Sequence, residues 1–189
     1  NVSVSGRRET SKDRLLQAVA GLLPHHLPGR MDEWRARYAH HLVLKTTADG
    51  AHEARTYLAE RFTGADGSFF ECTSEEASSA YLHRFAIGGA VVRYRAVHSD
   101  TVEDIVALDI ALPRNARDWF ETLPADIEAD LVARMYCGHF FCNVLHQEYL
   151  VRRGVDCAAL KDRLLAELDR RGARYPAEHS FGHAYHADA

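Results

Sequence analysis

Hydrophobic residues recur at helical spacing in several stretches of the chain. Residues 10–23 place leucines on one face and are followed by Pro24, so an amphipathic helix should end there. Asp156 and Gly172 bracket a helix with one apolar face, formed by Leu160, Leu164, Leu165 and Leu168. The same reasoning predicts a helix around Trp34 and Tyr38, and another that begins at Asp49-Gly50 and continues through Phe62. A Thr73–Glu76 capping box predicts a helix through Leu82. Asn115 can cap a further helix, which contains Trp119 and Phe120 and ends at Pro124.

Alternating and β-branched runs predict the strands, at 41–46, 68–72, 90–95, 105–112 and around 138–146. The strand 105–112 has a large apolar face and a second face that is small with one carboxylate, Asp109. Such a face suits close approach of a ligand or another domain. The element order predicts an α+β fold, a ferredoxin-like antiparallel sheet with helices on one face and the other face free.

Composition and charge narrow the class of protein. With 189 residues and 47% hydrophobic content the chain can bury a core, and no apolar run approaches the ~20 residues of a membrane span. The N-terminus has no signal-peptide core, and no nucleotide-binding glycine loop occurs. The four cysteines form no C-x-x-C pair, and this predicts reduced thiols in the cytosol. Residues 1–45 contain eight Lys or Arg against four acids. This basic segment fits either an anionic lipid surface or a solvated helix face.

Two histidines lie seven residues apart in an apolar run, His139 and His146, and a Glu178-His179 pair follows. Glu and His are residue types that bind metals or move protons, although histidines among Phe and Leu are often hydrogen-bonded core residues. An odd separation puts the two imidazoles on opposite faces of an unbroken strand. They can converge only if the chain turns between them, at Cys142-Asn143, where Asn tolerates a positive φ.

Several runs together resemble a known family; they are His40-His41-Leu42, Tyr81 to Ala86, Arg93 to Asp100, Val102 to Ile105, Leu108 to Leu112, Gly138-His139-Phe140 and Tyr175 to His179. They are similar to the C-terminal half of bacterial respiratory, quinone-dependent D-lactate dehydrogenases, which are peripheral membrane flavoproteins of the FAD-linked oxidase superfamily. The resemblance implies a basic helical part of the membrane-binding insert at 1–40 and a ferredoxin-like cap domain at 41–175. It also implies a membrane-facing insertion at 76–99 and a return toward the flavin at 176–189.

The resemblance also assigns roles to individual residues. Related FAD-linked 2-hydroxy-acid dehydrogenases have a Gly-His-x-Gly-Asp-Gly-Asn-x-His motif and a later Glu-His, which implies a divalent metal on His139, His146 and Glu178, with His179 as base. This chain has Phe-Cys-Asn-Val at 141–144 in place of Gly-Asp-Gly-Asn, so the flexible bend and one polar contact are missing. Arg84 is the candidate for the substrate carboxylate, since its fork suits that group, or is simply a surface helix residue.

The implied function is oxidation of D-lactate to pyruvate with electrons passed to quinone, at the cytoplasmic face of the bacterial inner membrane. FAD would be held by an N-terminal domain absent from this chain, so no cofactor-binding residue is assigned here and the chain alone should be inactive. Expected partners are that domain, D-lactate, quinone and anionic lipids, with no nucleic acid. The alternative is a free-standing ferredoxin-like module that binds a metal or ligand without catalysis.

Overall fold

A computed structural model describes residues 7–20, 22, 27–64, 67–139 and 143–177. The elements are α1 (Arg7–Ala20), α2 (Gly29–Arg37), α3 (Ala48–Arg61), α4 (Ser74–Val97), β1 (Val102–Ala111), α5 (Ala125–Ala129), β2 (Leu131–His139), β3 (Val144–Arg152) and α6 (Cys157–Arg170). The chain divides into a sheet unit, Asn1–Leu22 with Ile87–Ala189, and a helical unit, Leu23–Ala86. The domain boundaries expected at 40 and 175 stay predictions.

The sheet has the strand order β1-β3-β2, with both pairs antiparallel. Side chains alternate between its two faces, so every second residue of the central strand β3 points the same way. One face packs on α6 and forms the main core, which includes Leu145, Tyr149 and Val151 of β3. The apolar face predicted for β1 is confirmed, since its four members are buried in this core: Val106, Leu108, Ile110 and Leu112.

Helix α6 has the bounds and the caps that its sequence predicts. The Asp156 carboxylate accepts hydrogen bonds from the N–H groups of Ala158 and Ala159, at 2.9 and 3.2 Å, and so satisfies two donors that the first turn leaves without helical partners. Gly172 follows the helix at φ 68°, a left-handed conformation that suits glycine. Between these caps, Leu160, Leu164 and Leu168 are at most 1% exposed. The helix therefore covers one face of the sheet.

The α+β class with an antiparallel sheet is confirmed, and the chain after α6 returns to the edge of β1. Arg174 forms an isolated antiparallel bridge with Ala111, and the Ala177 N–H donates to the Asp109 carbonyl at 2.9 Å. The order β1-α5-β2-β3-α6 followed by this bridge is compatible with the β-α-β-β-α-β motif. The described residues supply three of its strands, so the ferredoxin-like arrangement itself stays a prediction.

The second face of the sheet is not free along its whole length, contrary to expectation. Val91 of α4 is buried against Val102 and Leu150, with Ile105 and Met135 among the residues around them. These contacts cover one end of that face. The other end of this face, from Glu148 toward the β2–β3 turn, is the open face.

Three of the predicted strands are wrong. Residues 41–46 and 68–72 have no regular secondary structure, because none of the described strands pairs with them, and 90–95 belongs to α4. The Thr73–Glu76 capping box starts that helix: Glu76 N–H donates to Thr73 Oγ1 at 3.2 Å, and Thr73 N–H to the Glu76 carboxylate at 2.8 Å. Once started, α4 continues through the β-branched run because Val91 finds an apolar partner there.

The helix expected around Trp119 and Phe120 is also wrong, since 114–124 is irregular. Arg171 donates to the backbone carbonyls of Asp118 and Trp119, at 2.6 and 3.4 Å, and satisfies them without a helix. Pro124 precedes the first residue of α5, so it begins a helix where the sequence predicted an end.

The helical unit contains little buried surface. Helices α2 and α3 have no buried residue among those described, and α3 is capped by Thr47 where the sequence favoured Asp49-Gly50. Polar contacts hold α2 to the start of α4: the Arg30 guanidinium binds the Glu76 carboxylate at 2.9 Å and lies 4.1 Å from the Phe70 ring centre. The unit is thus organised by surface ion pairs and aromatic contacts more than by a core.

Candidate active site on the open face of the sheet

His139 and His146 lie on the same face of the sheet, at the ends of β2 and β3 that meet at the turn, so the condition for their convergence is met. Asn143 has φ 52°, the positive value expected of an asparagine there. Across the resulting hairpin the two imidazole rings lie 5.6 Å apart between centres, at 80° to each other. The Phe-Cys-Asn-Val sequence at 141–144 therefore still allows the convergence that the glycine-rich family motif provides.

Gly138, next to His139, allows the two strands to approach closely at this end of the hairpin. A Cβ at this position would lie 2.7 Å from Leu145 Cδ2 and 3.0 Å from Leu145 Cα, and closer still to the Val144 carbonyl oxygen. Any side chain here would push β2 away from β3. The position thus requires glycine because of space, and it fixes the distance between the strands that bear the two histidines.

The side chain of His146 is held by Asp109, its direct partner across β1 and β3. His146 Nδ1 lies 2.7 Å from Asp109 Oδ1, with the two side chains 26% and 44% exposed. An ionised carboxylate can only accept a hydrogen bond, so Nδ1 bears the proton and Nε2 is the basic nitrogen of the neutral ring. The pair therefore fixes both the tautomer and the orientation of the imidazole.

Glu148 lies on the same face one row further along β3, opposite Ala107 and Met135. Its Oε2 is buried and has no hydrogen-bond donor among the described residues. Burial raises the pKa of this carboxyl group, the nearby His146 opposes that shift, and the Asp109 carboxylate adds to it. Sequence reasoning did not select Glu148, although the two-residue spacing from His146 places both side chains on one face of a strand.

Two of the predicted site residues, Glu178 and His179, lie outside the described residues. The last described residue is Ala177, whose N–H binds the carbonyl of Asp109. Arg84 lies within α4 in the helical unit, and its side chain is likewise outside the described structure. The roles expected of these three residues stay predictions.

The residue types on the open face fit a metal only in part. Within 7–20, 22, 27–64, 67–139 and 143–177, no three His, Cys, Asp or Glu side chains are grouped to hold an ion. Two imidazoles are fewer than the three protein ligands of a catalytic zinc site, and the predicted third ligand, Glu178, lies outside the described residues. The Asp109 bond to His146 does fit, because metal-binding histidines usually donate their other N–H to a carboxylate or carbonyl.

A second polar cluster lies on the opposite face of the sheet, inside the core. The Glu121 carboxylate, 4% exposed, accepts hydrogen bonds from the hydroxyls of Tyr149, at 2.6 Å, and Tyr136, and Arg171 lies 3.4 Å from its other oxygen. Burial and the nearby Glu121 charge raise the pKa of both tyrosines. The cluster ties the irregular 114–124 segment to β2, β3 and the end of α6, and it was missed because its members are far apart in sequence.

Part of the basic N-terminal segment is neutralised locally. Arg30 pairs with Glu76, and Arg35 pairs with Asp32 at 3.2 Å. In addition, the Arg37 guanidinium lies 5.2 Å from the ring centre of Tyr38. Asp32 is already counted among the four acids of residues 1–45, whereas Glu76 lies outside them, so the Arg30–Glu76 pair alone lowers the positive charge that this segment presents.

Comparison with known proteins shows which family the sequence of this chain matches. Residues 2–189 match the family model described as D-lactate dehydrogenase, membrane binding. The chain is 55% identical over 175 residues to the quinone-dependent D-lactate dehydrogenase of Escherichia coli, 47% over 176 residues to that of Haemophilus influenzae and 40% over 184 residues to that of Corynebacterium glutamicum. These matches cover 93%, 93% and 96% of this chain but 31%, 31% and 32% of the relatives. None of the helices in the described residues is long and apolar enough to cross a bilayer.

Proposed function

Because the chain belongs to the family of D-lactate dehydrogenase membrane-binding domains, we propose that it covers the substrate and docks the membrane in an FAD-dependent enzyme. That enzyme oxidises D-lactate to pyruvate and passes the electrons to quinone. The chain spans about a third of the length of its relatives, and the FAD is bound by a domain outside it. Alone, the chain has no dehydrogenase activity. Family membership does not favour a free-standing binding module.

One observation carries the catalytic part of this proposal, the convergence of His139, His146 and Asp109 on the open face. Residue types that move protons or bind metals are gathered there with one imidazole already oriented. The segment after α6 lies beside Asp109, because the Ala177 N–H donates a hydrogen bond to the Asp109 carbonyl. In sequence, Ala177 is followed directly by Glu178 and His179.

The chemistry requires a base and a group that binds the carboxylate. FAD, when bound, supplies the acceptor for the hydride that leaves C2 of D-lactate. His179 takes the hydroxyl proton as the C–O bond becomes the carbonyl of pyruvate. Arg84 binds the substrate carboxylate through two parallel N–H donors, which orients C2.

His139, His146 and Glu178 are the residues that would hold a divalent metal, a His₂Glu set known from catalytic zinc sites. A metal there would polarise the substrate hydroxyl and lower its pKa. Without a metal, an N–H of His139 would donate a hydrogen bond to the same oxygen, and His146 would donate one from Nε2 in its protonated form. In both cases Asp109 directs Nδ1 of His146 to itself and orients Nε2 as the nitrogen on the other side of the ring.

The base assignment predicts a large and specific loss of rate. In the full-length enzyme, His179→Ala should slow flavin reduction by D-lactate about 10²- to 10⁴-fold, the usual contribution of a positioned base. Bound FAD, measured from its absorbance, should be unchanged. Anaerobic stopped-flow measures the rate, and His183→Ala, four residues on, is the matched control that should behave as wild type. Near-normal reduction in His179→Ala would show that the base is another residue.

The metal assignment has a separate test that does not depend on turnover. Metal analysis of the purified full-length enzyme should find bound divalent metal that is lost in His139→Ala and in Glu178→Ala. Removal of a ligand typically weakens such sites severely, since each supplies part of the coordination shell. If the wild-type enzyme contains no metal, and a chelator leaves its rate untouched, hydrogen bonding by the two histidines is the correct account.

The remaining partners follow from the enzyme class. Quinone takes electrons at the membrane, and anionic lipids attract the basic residues of the N-terminal segment at the cytoplasmic face of the inner membrane, where the protein is peripheral. Since Arg30 already pairs with Glu76 from outside the segment, charge alone gives a weak attraction that salt should reduce.

A further inference from the structure

The helical unit exposes three apolar residues in a row, a pattern that water disfavours. Leu42, Val43 and Leu44 are 62%, 63% and 40% exposed, in a segment without regular secondary structure. Isolated exposed apolar residues are ordinary in soluble proteins, but consecutive ones usually mark a surface that another phase or molecule covers. This loop is called the apolar loop below.

Exposed apolar side chains of α4 extend the surface formed by the apolar loop. Lys45, the next residue after the loop, places its Nζ 5.2 Å from the ring centre of Tyr81. Tyr81 is 40% exposed, and its neighbours Leu82 and Phe85 are 66% and 68% exposed. The loop and this part of α4 therefore belong to one apolar surface within the helical unit.

The helical unit cannot bury this surface within itself. Ala80 is the one buried hydrophobic residue in the described parts of that unit, 27–64 and 67–86. Its polar contacts, such as Arg55 with Glu71 at 2.8 Å, hold its segments together at the surface. The apolar side chains at 42–44 consequently remain outside, where a partner can bind them.

The residues around the apolar loop suit a bilayer interface. A lysine can bury its methylene stem among lipids and keep its ammonium group at the headgroups, and tyrosine is favoured at the same depth. Lys45 and Tyr81 form such a pair beside the loop, and the positive charge complements anionic headgroups. We propose that Leu42–Leu44, with Tyr81, Leu82 and Phe85, insert into the interfacial layer of an anionic bilayer. The inference rests on the membrane association proposed above and adds an apolar anchor to it.

The test compares binding of full-length enzyme to vesicles of phosphatidylglycerol and phosphatidylcholine at low and high salt. At about 1 M salt the Debye length is only ~3 Å, so attraction by charge is lost while apolar insertion persists. Wild-type enzyme should still bind at that salt concentration. Val43→Asp should weaken binding about tenfold or more at both concentrations, since a carboxylate replaces an inserted side chain. Flavin reduction by D-lactate in solution should stay unchanged.

Ala166→Asp is the matched control, because it adds the same charge at an exposed position of α6 in the sheet unit, outside residues 1–45 and 76–99. Equal loss of binding in both variants would mean that added negative charge is the cause, which overturns the anchor. Unchanged vesicle binding in Val43→Asp also overturns it. If that variant instead loses FAD or flavin reduction, the surface packs on the FAD-binding domain. Wild-type enzyme that binds no vesicles at any salt would overturn the membrane association itself.

Discussion

At the scale of single residues, the carboxylate of Asp109 decides which nitrogen of His146 bears the proton. Asp109→Asn should no longer fix the tautomer of His146, because an amide can either accept a hydrogen bond from Nδ1 or donate one to it. We expect a mixture of tautomers at His146, visible in the ¹⁵N shifts of its imidazole. Outer hydrogen bonds to such histidines are typically worth 10- to 100-fold in activity or metal affinity, so flavin reduction in the full-length enzyme should fall by about that factor.

Asp162→Asn makes the same chemical change on the exposed side of α6 and is the control for Asp109→Asn. It should leave both the shifts and the rate unchanged. A His146 tautomer that stays the same in Asp109→Asn, whatever the rate, would mean that other contacts fix the ring.

The sequence predicted the histidine pair but not all of its surroundings. The odd spacing of His139 and His146 allows them to converge only through a turn, and Asn143 marks where that turn can lie; both signals can be recognised from one segment alone. The contacts of Glu148 depend on how β1 and β2 align with β3. That alignment is set by packing on α6 and cannot be recognised from local pattern.

At the scale of elements, prediction succeeded where pattern and end signals agreed. Helix α6 has an N-cap, an apolar stripe and a closing glycine, and β1 has strict alternation. The segments 41–46 and 90–95 have only β-rich composition, and a strand also needs a neighbour with which to pair. In 90–95 the helix begun at Thr73–Glu76 continues instead, and its Val91 contacts the sheet.

The cap of α6 has a measurable contribution to stability. Asp156→Ala leaves the N–H groups of Ala158 and Ala159 without their acceptor, and should lower the free energy of unfolding by ~1 kcal/mol, within a range of about 0.5–2. Chemical denaturation of the chain followed by circular dichroism measures the change. Asp156→Asn keeps an acceptor oxygen and should retain most of the stability. If both variants lose the same amount, the charge at the helix N-terminus, and not the hydrogen bonds, is the stabilising factor.

At the scale of the whole molecule, the two units differ in how much they bury. The sheet unit has a core of fully buried side chains, whereas α2 and α3 of the helical unit have none among the described residues. Local opening requires little free energy where few apolar contacts are lost. Amides of α2 and α3 should therefore exchange with deuterium much faster than those of β3 and α6, as mass spectrometry of the full-length enzyme can measure. Equal protection in both units would mean that other contacts stabilise the helical unit.

Because side chains alternate along β3, the same strand register that forms the core also positions the residues of the candidate site. Leu145 and Tyr149 pack in the core, while His146 and Glu148 lie on the other face of the same strand. If the hairpin slipped by one residue, the two sets would exchange sides, and the histidine and the glutamate would meet the leucines of α6. Such a chain would lack a stable core and would be open to proteases. Packing of the hydrophobic core is therefore also quality control of the candidate site, because a chain with the wrong strand register would be degraded rather than kept with its site residues misplaced.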